Sequence, residues 1–272
     1  MIRPFAALLP AVFAFAIPAF AQDVGAADSA DPVTMSTQGR GGPALGFTLG
    51  AGVGTAPEYF GSDDNEARGS LNFALNHLRI GRFEFGDPDP LFQPEGLGVI
   101  GSFRYIGERD DDDSSELEGL DDVDASLELG AGLRYATQSY QVFGVARYGV
   151  VGHNAWVGEI GADAFARPTD RLTLRIGPRA LFGSESFNET YFGITGDEAD
   201  ASGSLGAFDP DGGLVSTGVE VGAGYRLGGN WGVDAAVRYD RLRDDASDSP
   251  IVEDVDQLTA RIGVTRRFTF GF

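Results

Sequence analysis

Apolar and polar residues alternate along most of this chain. Leu45, Phe47, Leu49, Ala51 and Val53 are separated by Gly46, Thr48, Gly50 and Gly52. From Val123 to Tyr135 the odd positions are Val, Ala, Leu, Leu, Ala, Leu and Tyr, while Asp124, Ser126, Glu128, Gly130, Gly132 and Arg134 stand between them. Val215 to Leu227 and Trp231 to Tyr239 repeat the pattern, with Glu220, Arg226, Asp234 and Arg238 on the other face. Successive side chains of a strand point to opposite faces, so a period of two predicts strands with one apolar face. No segment of comparable length carries a helical period.

Plain strands are predicted near 44–54, 97–107, 122–136, 139–150, 155–167, 170–183, 213–227, 230–242 and 256–272. Residues 66–86 give ten in all if they form one long strand. A hairpin near Asn76-His77 with a further short strand would give twelve. Short connections at 136–139, 167–170 and 228–230 alternate with long acidic ones at 108–121, 185–212 and 244–255. Outer-membrane barrels sort their loops in this way, short on the periplasmic side and long outside. The expected fold is therefore all-β: a closed antiparallel transmembrane β-barrel of 10–12 strands with short periplasmic turns and long acidic external loops.

The two ends of the chain fit that expectation. Residues 1–21 hold Arg3, an apolar stretch from Phe5 to about Ile17, and Ala19-Phe20-Ala21. These are the parts of an export signal cleaved after Ala21. Residues 22–43 have little apolar content and no period, which suits a flexible periplasmic leader before a barrel at 44–272. At the other end Phe268, Phe270 and Phe272 share the apolar face of the last predicted strand. That strand is similar to the final strand of outer-membrane proteins, whose terminal aromatic is read by the barrel-assembly machinery. The three phenylalanines are the expected assembly signal. Arg266 interrupts the apolar face and is placed near the membrane interface, where an Arg can snorkel. Tyr225, Trp231 and the same phenylalanines form an expected aromatic girdle.

Composition narrows the function. The 272 residues include 41 acids against 20 basic residues, a net charge of −21. Such a balance disfavours nucleic acid, which needs a basic face. There is no Cys, hence no disulfide and no thiolate chemistry. Every basic residue is Arg, which excludes a P-loop, a Schiff base and a Ser–Lys dyad. The polar face carries Glu128, Arg134, Arg147, Glu159, Asp163, Arg171, Arg175, Arg179, Glu220, Arg226, Asp234, Arg238 and Arg261. In a barrel of this size both signs can pair in the lumen. Glu128, Arg134, Glu220, Arg226, Asp234, Arg238 and Arg261 are the lumen charges expected to form a structural plug.

Catalytic signals are thin. His153-Asn154 lies in a tight connection, with Ser184 and Ser186 on another external loop, and no spacing ties them together. A turn rich in Gly and Asn explains the histidine. The acids at 110–122, 209–211 and 244–245 lack the alternating pattern of a calcium loop and read as a solvated rim. No catalytic, cofactor or metal residue is assigned.

Three stretches in order resemble the MipA/OmpV family of outer-membrane proteins: Gly52 to Asp64 (GVGTAPEYFGSDD), Tyr191 to Leu214 (YFGITGDEADASGSLGAFDPDGGL) and Arg238 to Asp254 (RYDRLRDDASDSPIVED). The terminal TRRFTFGF completes the likeness. The resemblance implies a non-enzymatic barrel of the Gram-negative cell outer membrane. Its family role is that of a scaffold holding a periplasmic murein transglycosylase near a murein synthase. The implied partners are outer-membrane lipid, lipopolysaccharide, the barrel-assembly machinery and those two enzymes. The alternative expectation is a narrow pore for small solutes or cations.

Overall fold

The computed structural model describes residues 12–13, 43–80, 83–86, 96–111 and 117–271. Ten long strands dominate: β2 (Ala44–Pro57), β3 (Asn65–Ile80), β5 (Gly96–Ile106), β6 (Ser126–Ala136), β7 (Tyr140–Val151), β8 (Trp156–Thr169), β9 (Leu172–Gly183), β10 (Gly213–Gly228), β11 (Trp231–Leu242) and β12 (Asp256–Gly271). Two short pieces flank β3. β1 (Val12–Phe13) pairs with it in parallel, and β4 (Phe83–Gly86) pairs with it antiparallel. β1 lies within the expected export signal; the rest of 1–42, and Phe272, lie outside the described residues.

The long strands form one antiparallel sheet in the order β3-β2-β12-β11-β10-β9-β8-β7-β6-β5. The first and last long strands pair from Ala44↔Gly271 to Thr55↔Ala260, so the sheet joins the two ends of the chain. Its remaining edges are β3 and β5, and no ladder joins them among the described residues. β4 runs beside β3 in the same direction as β5 and precedes it in the chain. The ten long strands lie along this order, with β4 paired to the edge strand β3 and β5 at the opposite edge. β3 runs on to Ile80 and β4 begins at Phe83, so the expected reversal lies beyond Ile80. It is not at Asn76-His77, because His77 is paired with Gly46 inside the β2–β3 ladder.

The alternation sorts the two faces. Val221 is 51% exposed and its neighbour Glu220 is 2% exposed. Leu129, Leu133, Ile160, Ile176, Val237, Leu258 and Ile262 join Val221, while Glu128, Arg147, Glu159 and Arg179 are buried with Glu220. A flat sheet would separate β11 from β8 by three strand spacings, about 14 Å. Yet Arg238 of β11 donates to Glu159 of β8 at 2.9 Å. The sheet curls, with the charged face inside the curve and the apolar face outside, and this brings the two side chains together.

The outer face has a measurable band. On β12, only Asp256 and Arg266 interrupt its apolar row. Asp256 is paired with Arg241 and accepts the Tyr239 hydroxyl at 2.7 Å. From Asp256 to Arg266 at about 3.3 Å per residue, with a barrel-like tilt near 40°, the apolar band is about 25 Å tall. Trp231, Arg266 and Phe268 mark one edge of it. Exposed apolar surface on this scale is not tolerated on a monomer in water.

The long connections all emerge at the other end, and they are not a plain acidic rim. They contain α1 (Glu185–Phe192), α2 (Gly196–Ser202) and α3 (Asp244–Asp248). Phe187, Tyr191 and Phe192 of α1 pack with Val215, Leu242 and Ala246. A second cluster unites Tyr59, Leu117, Leu120, Ile194 and Ile251, which come from four different connections. The helices escaped the periodicity test because they are too short to show one. Thr195-x-x-Glu198 was a readable start signal for α2, since it forms a capping box, and Gly203 at φ 64° ends the helix.

Candidate functional site

The inner face holds ion pairs in two tiers. The tier nearer the long connections begins with Arg104 of β5, which donates to Glu128 of β6 from Nε at 2.9 Å. Arg147 of β7 donates from Nε to the same carboxylate at 2.8 Å and from Nη1 to Glu159 at 3.1 Å. Glu159 also accepts from Arg238, which in turn donates from Nη2 to Asp240 at 3.0 Å. The second tier centres on Glu220 of β10. It receives Arg175 at 3.3 Å, Arg179 at 3.4 Å and Arg261 at 3.5 Å. Arg175 reaches on to Asp234 at 3.1 Å, and Arg179 to Asp163 at 2.6 Å. Gln141 donates to Asp163 at 2.8 Å.

Arginine suits this interior because its planar fork serves two carboxylates at once and stays charged. The inner-face glycines seat these forks. A Cβ on Gly222 would lie 2.5 Å from the guanidinium carbon of Arg175. One on Gly149 would lie 2.5 Å from the His153 ring.

Of the residues named from sequence, Glu128, Glu220, Asp234, Arg238 and Arg261 all belong to these tiers. Arg134 is buried on the same face. Arg226 is half-buried near the short-turn end of β10, and Arg171 is exposed in the turn before β9. Arg104 and Gln141 are network members that the alternation alone did not single out. Phe268 and Phe270 stack on Phe47 of β2 at 5.3 and 5.8 Å, on the outer face. Phe272 lies outside the described residues.

His153 is not a surface turn residue. Asn154, at φ 49°, and Gly152, at φ 81°, fold the 152–155 connection so that the ring turns inward. Nδ1 accepts the Ala155 N–H at 3.0 Å, which puts the proton on Nε2 facing Glu128 at 3.2 Å. Phe187 and Tyr191 of α1 pack edge-on against the ring at 5.3 and 5.7 Å. The imidazole thus joins the upper tier to the packed connections. Among the described residues no hydrogen bond links it to Ser184 or Ser186, so no nucleophile–base pair is assembled there.

The packed connections close over the upper tier as a cap. Ser249 Oγ donates to the Phe192 carbonyl at 2.6 Å, and Gln257 accepts the Gly61 N–H at 3.1 Å. Glu198 staples two connections by accepting the N–H groups of Thr195 at 2.7 Å and Asp121 at 2.9 Å. Burial pushes its carboxyl up, but these hydrogen bonds outweigh that and hold it below its ordinary value. Burial lowers the Arg109 guanidinium and pushes the Tyr191 hydroxyl up to about 12.

Between cap and network lies a cavity of about 140 Å³, lined by Arg104, Glu159, Arg238 and Tyr191 among others. It has room for a few waters, whereas pockets for small molecules start near 300 Å³. A wider acidic cleft of about 770 Å³, with Arg109, Asp121, Asp122 and Glu198 on its walls, opens on the outside of the cap. Among the described residues no group of three His, Asp or Glu side chains is arranged to hold a metal ion.

Three comparisons bear on identity. The family model described as MltA-interacting protein MipA matches residues 49–268. The MltA-interacting protein of Escherichia coli K12 is 26% identical over 241 residues, covering 82% of this chain and 90% of the relative. Among solved structures, an outer membrane channel from Pseudomonas putida F1 aligns at 11% identity and TM-score 0.41, over 88% of this chain and 100% of that one. Pseudomonas putida OprB aligns at 11% identity and TM-score 0.40, over 84% and 94%. The match to the family model runs from β2 to β12, through both tiers of ion pairs and the cap, and the chain belongs to the MipA family.

Proposed function

We propose that the protein is a non-enzymatic outer-membrane barrel that serves as a scaffold for peptidoglycan-remodelling enzymes. On this reading β4 and β5 close against β3, the apolar band contacts lipid, the short turns face the periplasm and the cap faces outside. An open edge in lipid would leave backbone N–H and C=O groups unpaired at several kcal/mol each, which favours closure. Residues 1–21 act as the cleaved signal, and Phe268, Phe270 and Phe272 as the mark read during assembly.

One observation carries the scaffold over the pore: the inner face is filled by paired arginines and carboxylates beneath an apolar cap. A conducting lumen needs a wet path, and buried pairs under a closed mouth weigh against one. Neither tier offers an exposed nucleophile with a base, which favours a binding role. The Escherichia coli relative is named for interacting with MltA. By family, we extend to this chain a periplasmic murein transglycosylase as partner, with a murein synthase held nearby. Photocrosslinkers placed at Gln138, Asp170 and Asn230, in the short turns, test this in intact cells. A crosslinked murein transglycosylase supports the scaffold. Crosslinks to that enzyme only from the cap end would overturn the orientation, and none from either end would overturn the scaffold.

A further inference from the structure

Arg266 differs from every other charged residue of the outer face. Among the described residues that face carries three: Arg241 and Asp256, paired with each other at 3.2 Å at the cap edge of the band, and Arg266 at the opposite edge. The Arg266 guanidinium carbon sits 4.9 Å from the Trp231 ring centroid and 5.1 Å from that of Phe268. No carboxylate among the described residues pairs with it. Phe268 is itself held by Phe47 and lies near-parallel to Phe270 at 6.5 Å. Two aromatic faces thus hold a cation in place and leave its donors for a ligand outside the sheet. Cation–π contacts fix a guanidinium without using up its N–H groups.

The height of this cation identifies the ligand. It stands where the apolar band of about 25 Å ends, at the level of lipid headgroups. A planar guanidinium presents two parallel N–H groups that match two phosphate oxygens. Trp and Tyr prefer the same level, with an apolar body in the acyl region and a polar edge in the headgroups. We propose that Arg266, Trp231 and Phe268 form a binding site for the phosphate of an anionic phospholipid. The site rests on the membrane reading above and selects a glycerophospholipid, because the short-turn end faces the periplasmic leaflet on that reading.

The chain contains two tryptophans, so Trp156→Phe leaves Trp231 as the only indole reporter. That variant is refolded into phosphatidylcholine vesicles containing phosphatidylglycerol, with bromine on the acyl chains of one lipid or the other. Heat-shifted migration on gels reports insertion independently of lipid preference. Brominated phosphatidylglycerol should quench Trp231 about fivefold more per molecule than brominated phosphatidylcholine, the factor expected for one Arg near an anionic surface. Arg266→Gln should bring the ratio to one, and Arg171→Gln, in an exposed turn, should leave it unchanged. Equal quenching by the two lipids before Arg266 is replaced would overturn the site, as would a preference that survives Arg266→Gln. A protein with no heat-shifted form and no quenching by either lipid would instead overturn the membrane reading.

Discussion

Glu220 and Val221 are adjacent in sequence and opposite in demand. Glu220 faces Arg175, Arg179 and Arg261, so Glu220→Leu leaves buried guanidinium groups without their carboxylate. Breaking a buried pair on one side costs about 3–5 kcal/mol. Val221 is paired with Val237 and Ile176 across the outer face, where an added methylene meets no packed wall. Val221→Leu should change stability by less than about 0.5 kcal/mol. Urea unfolding in lipid vesicles measures both, and similar losses would mean the faces are misassigned. The faces were legible in the alternation itself. The pairings were not, because a period of two says which side an Arg takes and nothing about how far its fork reaches. Arg238 illustrates this: its cross-strand neighbour is Glu220, yet it bonds to Glu159 three strands away. Gly149 gave no hint of His153 either, since a glycine between apolar residues reads only as a polar-face position.

Nine of the ten long strands were readable as elements, and their ends moved by at most four residues, while over 66–86 the alternation left one strand or a hairpin open and β3 ends at Ile80. What was not readable is the order hidden in the connections. Their acidic composition suggested a solvated rim, but Phe187, Phe192, Leu117 and Ile251 are almost completely buried between them. A few apolar residues per connection cannot set up a period; they become a core only when four connections meet. Glu198 gives this cap a pH dependence of definite sign. Its carboxyl is held below its ordinary value, so the staple is fully present above about pH 4.3 and is lost as pH falls from there toward the depressed folded value. The backbone amide resonances of Asp121 and Thr195 should therefore titrate together in that acidic range. Glu198→Gln should remove the shared transition, and separate transitions would contradict a single staple.

The whole molecule carries an apolar outer band, paired charges on its inner face and a cap at one end. The asymmetry of the connections gives it a direction. A short epitope inserted between Gly203 and Gly206, in the exposed stretch after α2, should bind antibody on whole cells. Labelling only after the outer membrane is broken would reverse the orientation. On the proposed reading the barrel is filled and capped, and it holds partners without passing solutes. Single-channel recording of the mature protein in planar lipid bilayers distinguishes this from a pore. A filled, capped barrel should insert, as heat-shifted migration of the same preparation will report, and show no ion-conducting steps. Regular, stable conductance steps from that inserted protein would contradict it.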